Sequence, residues 1–306
     1  MRSDVRSTLS RREVMRRSLS LLAGATLLPC SASALARQRV ITLFQGATDT
    51  AVALGIRPAG VVDSWSEKPM YRYLRQALAG VPHVGLETQP SLEDIALLAP
   101  DLIVASRFRH ERIQGLLEQV CPVVMLDEVF EFQKTLGVMG VATARRVEAS
   151  ALQASWDARI AALRVRLQAQ FGARWPLSVS VLDIREDHVR SYLPDSFAGT
   201  VLSELGFVWN EQGRAATGVS IKLSSRESLP VVNADVFFVF GRADSPGVQR
   251  HYRSLTAHPL WQRMAAPQAG RVWWVDGVAW IFSGGILGAN RMLDDIERTI
   301  LQGSRV

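Results

Sequence analysis

The sequence predicts an α/β protein of two similar lobes, each a mainly parallel sheet flanked by helices, bridged by one long α-helix. Three observations predict it. Apolar strand-length runs alternate with helical patterns in both halves. A Pro-free, Gly-poor stretch of helical spacing separates those halves. One motif recurs on either side of it at a fixed offset.

The first 36 residues stand apart. They hold six arginines (Arg2, Arg6, Arg11, Arg12, Arg16 and Arg17) against Asp4 and Glu13, a net of +4 out of the chain's +6. The remainder carries only +2, so no basic domain is left to explain and no nucleic-acid partner is expected. Arg11-Arg12 precedes an apolar run from Leu19 to Pro29, and Ala34-Leu35-Ala36 offers small residues for cleavage. The segment 1–36 resembles a twin-arginine-type signal peptide cleaved near Ala36. The run is too short for the ~20 residues of a membrane span. Lipidation would use Cys30, which Pro29 fits poorly. Cleavage would leave Cys121 as the sole thiol, expected to be a small buried hydrophobe.

The first lobe is expected over 37–130. Val40 to Phe44 reads as a strand, followed by a loop at Gln45 and a short helix around Thr48 to Leu54, closed by Gly55. Val61-Val62 is a second strand, and Tyr71 to Leu78 has helical spacing. Ser91 caps a helix, with Asp94 as the acidic partner of a capping box. Leu102 to Ala105 is wholly apolar, as in a parallel sheet covered on both faces. Arg112 to Gln119 is helical, and Val123 to Leu126 is a strand.

Residues 131–171 read as the bridge, bent near Gly137 and Gly140. At 1.5 Å per residue it would span about 50 Å. The alternative is two ordinary helices of one domain. The second lobe is expected over 172–306, with strands at Leu177 to Leu182, Val236 to Phe240 and Val272 to Val275. Its helices run from Phe197 to Leu205 and Gly288 to Ile300.

The halves echo each other. Ser91-Leu92-Glu93 precedes Asp101 and an apolar strand; Ser225-Arg226-Glu227 precedes Asp235 and another, at an offset of 134 residues. Two lobes on a stiff connector leave a cleft, a favoured place for a ligand.

These residues resemble the periplasmic binding proteins for ferric siderophores and cobalamin, ferric dicitrate and ferrichrome binders above all. Val84-Gly85-Leu86-Glu87-Thr88-Gln89-Pro90-Ser91-Leu92-Glu93-Asp94-Ile95 with Leu98 to Ile103 carries the likeness. So do Ser225-Arg226-Glu227, His258-Pro259-Leu260-Trp261-Gln262 and Ala269-Gly270-Arg271-Val272. It extends over Arg39 to Ile300.

The resemblance implies a periplasmic, monomeric binding component of an ABC importer, with an inner-membrane permease, its cytoplasmic ATPase and an upstream outer-membrane receptor as partners. The ligand would be a ferric chelate of citrate or hydroxamate type. No cofactor and no protein metal site are implied, because the chelator fills the iron's coordination sphere. Glu93 and Glu227, one per lobe, would dock on permease arginines. Their place in the first turn of a helix, where the macrodipole favours an acid, agrees.

An anionic chelate calls for cationic donors and aromatic walls. The best candidates follow the Leu102 strand: Arg107, Phe108, Arg109 and His110. The second lobe offers Arg185, Tyr192, Arg214, Lys222, Trp280 and Phe282; Trp65 and Gln45 complete the ligand-binding set. Relatives usually carry arginine where this chain has Glu87, which Arg107 or Arg109 could offset by pairing with it or by taking over the anionic contact. A cobalamin or haem binder of the same fold is the nearer alternative and would lean on aromatic walls. An exported enzyme, with Asp49, Asp183 and His188 as acid and base, is the more distant one: no nucleophile elbow, phosphate loop or metal motif supports it.

Overall fold

A computed structural model describes residues 38–242 and 244–303. The leader, Cys30 and the cleavage site lie outside the described residues. Among those described, no helix is long and apolar enough to cross a membrane.

The first sheet is built from β1 (Val40–Thr42), β2 (Gly60–Asp63), β3 (His83–Leu86), β4 (Gln89–Pro90), β5 (Leu102–Ser106) and β6 (Val123–Leu126). Their order is β4-β3-β2-β1-β5-β6, and only β4 runs antiparallel. The connecting helices are α1 (Gln45–Ala53), α2 (Leu92–Leu97), α3 (Arg107–His110) and α4 (Gln114–Glu118). Ser91 caps α2 as its sequence predicts, its hydroxyl accepting the Asp94 amide at 3.2 Å. The helical spacing at Tyr71 to Leu78 yields only a 3₁₀ turn at Arg72–Leu74.

Residues 131–171 are two helices, not one. Helix α5 covers Phe132–Ala142 and α6 covers Arg146–Phe171. The break falls at Thr143 to Arg145, beyond the expected Gly137 and Gly140, and Ala144 takes a left-handed φ of 55°. Gly140 has another task there: a Cβ on it would meet the Ala149 side chain, so it lets α6 turn back closely against α5. The long rod is therefore α6 alone, 26 residues or about 39 Å.

The second sheet has β7 (Val179–Ile184), β8 (Val189–Tyr192), β9 (Ser220–Leu223), β10 (Val236–Gly241) and β11 (Val272–Trp274), in the order β11-β10-β7-β8-β9. Strand β8 is antiparallel to both neighbours; the other four run one way. Its helices are α7 (Phe197–Leu205), α8 (Glu211–Ala215), α9 (Pro246–Thr256), α10 (Pro259–Gln262), α11 (Ala265–Gln268) and α12 (Ile286–Ile296). The Ser225 motif starts a 3₁₀ helix, Arg226–Val232, that accommodates Pro230.

The sequence echo has a common structural job. The Asp101 carboxylate accepts the Arg39 amide just ahead of β1, at 2.8 Å; the Asp235 carboxylate accepts the Ser178 amide just ahead of β7, at 2.9 Å. Each acid stitches the start of one strand to its parallel neighbour.

One hydrophobic core passes through both lobes. Phe44 and Val104 of the first lobe, Phe132 of α5, Trp156 and Leu163 of α6, and Val179 and Phe238 of the second sheet belong to it. Phe132 packs edge-on against both Trp156 and Phe197. Close-packed interiors resist shear, so this shared core restrains lobe movement as the stiff connector does.

Candidate functional site

The carboxyl ends of the two sheets face each other. Asp276, just after β11, acts electrostatically on Tyr71 and Arg72 of the first lobe. The Tyr71 hydroxyl donates to the Phe282 carbonyl at 3.3 Å. Gly46, at the start of α1, lies against the backbone of Gly284 and Val129 so closely that a Cβ would collide. Loops beyond the strand ends of both lobes thus meet at one seam, where an α/β fold places its ligands.

In the first lobe these loops assemble around Glu87. Its side chain is 3% exposed, and the Arg109 Nε donates to its Oε1 at 3.2 Å. The Gln45 amide donates to Oε2 at 3.1 Å, and the Trp65 side chain adds a further hydrogen bond. Burial pushes the Glu87 carboxyl above its ordinary range, while Arg109 pulls it down. The Arg109 guanidinium carbon lies 4.5 Å from the Phe108 ring centre and 5.3 Å from that of Trp65. Both rings are exposed, as a wall against a ligand must be. The pairing foreseen between Glu87 and an arginine of this loop is made by Arg109. Arg107 pairs instead with the exposed Asp127 and Glu111, at 3.5 and 4.0 Å.

Two first-lobe candidates are buried and bonded to their own surroundings. His110 is fully buried: its Nδ1 accepts the Ser106 amide at 3.1 Å, and its Nε2 donates to the Glu87 carbonyl at 2.8 Å. Burial holds its pKa below the usual histidine range, so the ring stays neutral. Gln45 is 5% exposed and spends its amide nitrogen on the Asp63 carbonyl at 3.2 Å.

In the second lobe, alternation puts Asp183 and Arg185 of the β7 end, Arg190 and Tyr192 of β8, and Lys222 of β9 on one face. Asp183, 3% exposed, accepts the Arg185 Nε at 2.6 Å. Burial raises the Asp183 carboxyl, opposed by Arg185 and then Arg190. Tyr192 is largely buried, its ring stacked on Phe240 and its hydroxyl bonded by Arg185. Lys222 stands exposed beside Arg190.

The remaining second-lobe candidates are placed elsewhere. Trp280 is 0% exposed: its ring packs 4.3 Å from the Phe238 ring and its indole N–H donates to Asp295 at 2.9 Å. It is a core residue, because the segment Val278–Phe282 coils as a π-helix that turns the ring under the sheet. Arg214 sits on α8, tied through Asn210 to Val231 and Asn233 ahead of β10, at the opposite end of the sheet. Phe282 is half-buried and packs with Tyr71 in the seam. Two hollows, of about 320 Å³ beside Tyr252 and Trp274 and about 210 Å³ between His188, Arg226 and His251, lie on the other sheet face. Neither is lined by the arginine clusters. Among the described residues no cluster of His, Cys and acids could hold a metal ion.

A family profile described as periplasmic binding protein matches residues 40–278, most of the chain. The chain belongs to the periplasmic binding protein family. It is 65% identical to the achromobactin-binding periplasmic protein of Dickeya dadantii (strain 3937), over 95% of either chain. It is 29% identical to the Fe(3+) dicitrate-binding periplasmic protein FecB of Escherichia coli K12, over 84% of this chain and 83% of FecB. The solved structure of Staphylococcus aureus SirA complexed with staphyloferrin B superposes with a TM-score of 0.82 at 36% identity, over 86% of this chain and 93% of SirA. Membership of this binding-protein family accords with the two facing strand ends described above.

Sequence reasoning foresaw an arginine partner for Glu87 without telling Arg107 from Arg109, and it missed the pairing of Asp183 with Arg185. Glu87 and Arg109 are too far apart in the chain for spacing to join them, while Asp183 and Arg185 show only as neighbours on one face of a strand end. Asp49, weighed from sequence only as the acid or base of an enzyme, joins the first lobe to the Leu287 and Gly288 amides across the seam; Tyr73, which donates to it, gave no signal.

Proposed function

We propose that the protein captures a ferric siderophore between its lobes in the periplasm and delivers it to an inner-membrane ABC permease driven by a cytoplasmic ATPase. The observation that carries this is the presence, at the facing ends of the two sheets, of one carboxylate-held arginine per lobe, Arg109 and Arg185. Arginine recognises carboxylate with a planar fork of donors, so a chelate bearing free or iron-bound carboxylates suits the pair. The names of the relatives, for achromobactin, ferric dicitrate and staphyloferrin B, support the same class. Trp65 and Phe108 would cover the carbon frame of the chelate, with Arg190 and Lys222 adding charge.

Glu93 and Glu227 are both exposed, each the second residue of its segment beyond a capping serine. Two like acids on pseudo-equivalent surfaces suit the two-fold arrangement of a dimeric permease. The leader 1–36 would bring the chain across the inner membrane.

The test is a titration of the purified protein, followed by Trp fluorescence, against ferric citrate, ferric staphyloferrin B, ferrichrome, cobalamin and the iron-free chelators. Saturable one-to-one quenching by the carboxylate-type ferric chelates, with weaker response to cobalamin, supports the proposal. Binding of none of the ferric chelates removes it.

A further inference from the structure

We infer that Glu87 and Asp183 are positioning residues, one in each lobe, that fix Arg109 and Arg185 by their Nε atoms and so aim the terminal nitrogens at the ligand. The inference rests on the proposed siderophore-binding reading. It deepens that reading by assigning a role to two acids whose presence beside an anionic chelate otherwise counts against binding.

The two lobes make the same construction from unrelated local sequence. Glu87 follows β3 and reaches an arginine on α3, the short helix after β5; Asp183 lies on β7 and reaches an arginine two residues on. In both, the acid is 3% exposed and the arginine is partly open, 27% for the Arg109 side chain and 43% for Arg185. In both, the contact is through Nε, at 3.2 and 2.6 Å. A carboxylate on Nε leaves donors at the terminal nitrogens, which meet a ligand carboxylate end-on.

The acids are themselves rigidly placed. Glu87 is gripped by the Gln45 amide, the Trp65 side chain and, at its carbonyl, His110. Asp183 belongs to a strand paired on both sides, and Tyr192 takes a further hydrogen bond from Arg185. A free arginine loses rotamer freedom on binding; one already held loses less, and affinity gains by the difference. Each acid also lowers the net charge of its cluster, so the gain comes from order and not from added attraction.

The experiment uses the isosteric variants Glu87→Gln and Asp183→Asn, Arg109→Lys as background, and two readouts. The first needs no ligand. Nitrogen-15 spectra of the arginine side chains should show two slowly exchanging Nε–H groups; Glu87→Gln should release that of Arg109 alone and Asp183→Asn that of Arg185 alone. The second is affinity for ferric citrate and ferric staphyloferrin B. Each variant should weaken binding about three- to tenfold, and Glu87→Gln should have no further effect in the Arg109→Lys background. Arginines as mobile as surface ones in the unaltered protein would overturn the inference. So would unchanged or tighter binding in both variants, or a Glu87→Gln loss undiminished by Arg109→Lys. Held arginines in a protein that binds none of the ferric chelates of the titration panel, ferrichrome included, would instead sink the siderophore reading, which separates the two failures.

Discussion

Asp49 of the first lobe caps the helix that begins at Ile286: its carboxylate accepts the Gly288 amide at 3.0 Å. The same group takes the Leu287 amide at 2.8 Å and the Tyr73 hydroxyl at 2.7 Å. Gly285 and Gly288 leave room that any Cβ would fill against Asp49 or Ser283. A charge with no solvent exposure therefore clasps α12 to α1 across the seam.

Burial lifts the Asp49 pKa from 3.8 to about 6, against the pull of its three donors. Between those values the native state holds a proton that the unfolded chain has released. Stability from this group is thus full below about pH 4 and declines as pH rises through 6, by on the order of 3 kcal/mol. Denaturation at pH 4 to 7 should show the decline, and Asp49→Asn should flatten it. An identical pH profile in that variant would refute the assignment.

Trp280 should matter for folding and not for binding. Trp280→Phe loses the indole hydrogen bond to Asp295 and some packing on Phe238. A cost of about 1–3 kcal/mol is expected, with affinity for ferric chelates unchanged. Chemical denaturation alongside fluorescence titration checks both halves of the expectation.

Arg107 and Arg109 are near neighbours with different surroundings. Arg109→Ala should weaken binding of a carboxylate-type ferric chelate by about ten- to a hundredfold, the worth of a charge-assisted contact. It should also lower Tm, because Glu87 is left buried without its partner. Arg107→Ala gives up only exposed pairs, and its effect on either measurement should be small. Equal effects of the two on affinity would displace the Arg109 assignment.

Charge reversal at Glu93 and Glu227 should abolish uptake in cells while leaving affinity for the chelate intact. Transport of radioactive iron chelate, paired with titration of the purified variants, separates docking from binding.

Much of the fold was legible because its signals are local or periodic. Apolar runs at Leu102 and Val236 mark buried parallel strands, and Ser91 and Ser225 announce the segments they cap. The offset of Asp101 and Asp235 reflects a shared stitch between strands. What escaped depends on tertiary partners. The turn at Ala144 divides the bridge where no proline or glycine warns of it. Strands β8 and β9 are short and carry charged residues, so they lack an apolar run. The arginine-rich loop after β5 stood out by composition, yet only the structure distinguishes Arg109 from Arg107 and sets His110 inside. Trp280 misled because an aromatic after a strand end reads the same whether it faces a ligand or the core.

Iron locates the ligand without ambiguity. Crystals of the protein grown with ferric staphyloferrin B, measured at the iron absorption edge, should show one anomalous peak between the Arg109 and Arg185 guanidinium groups, with carboxylates of the chelate on both. A peak elsewhere, such as the hollow beside Tyr252 and Trp274, would contradict the account.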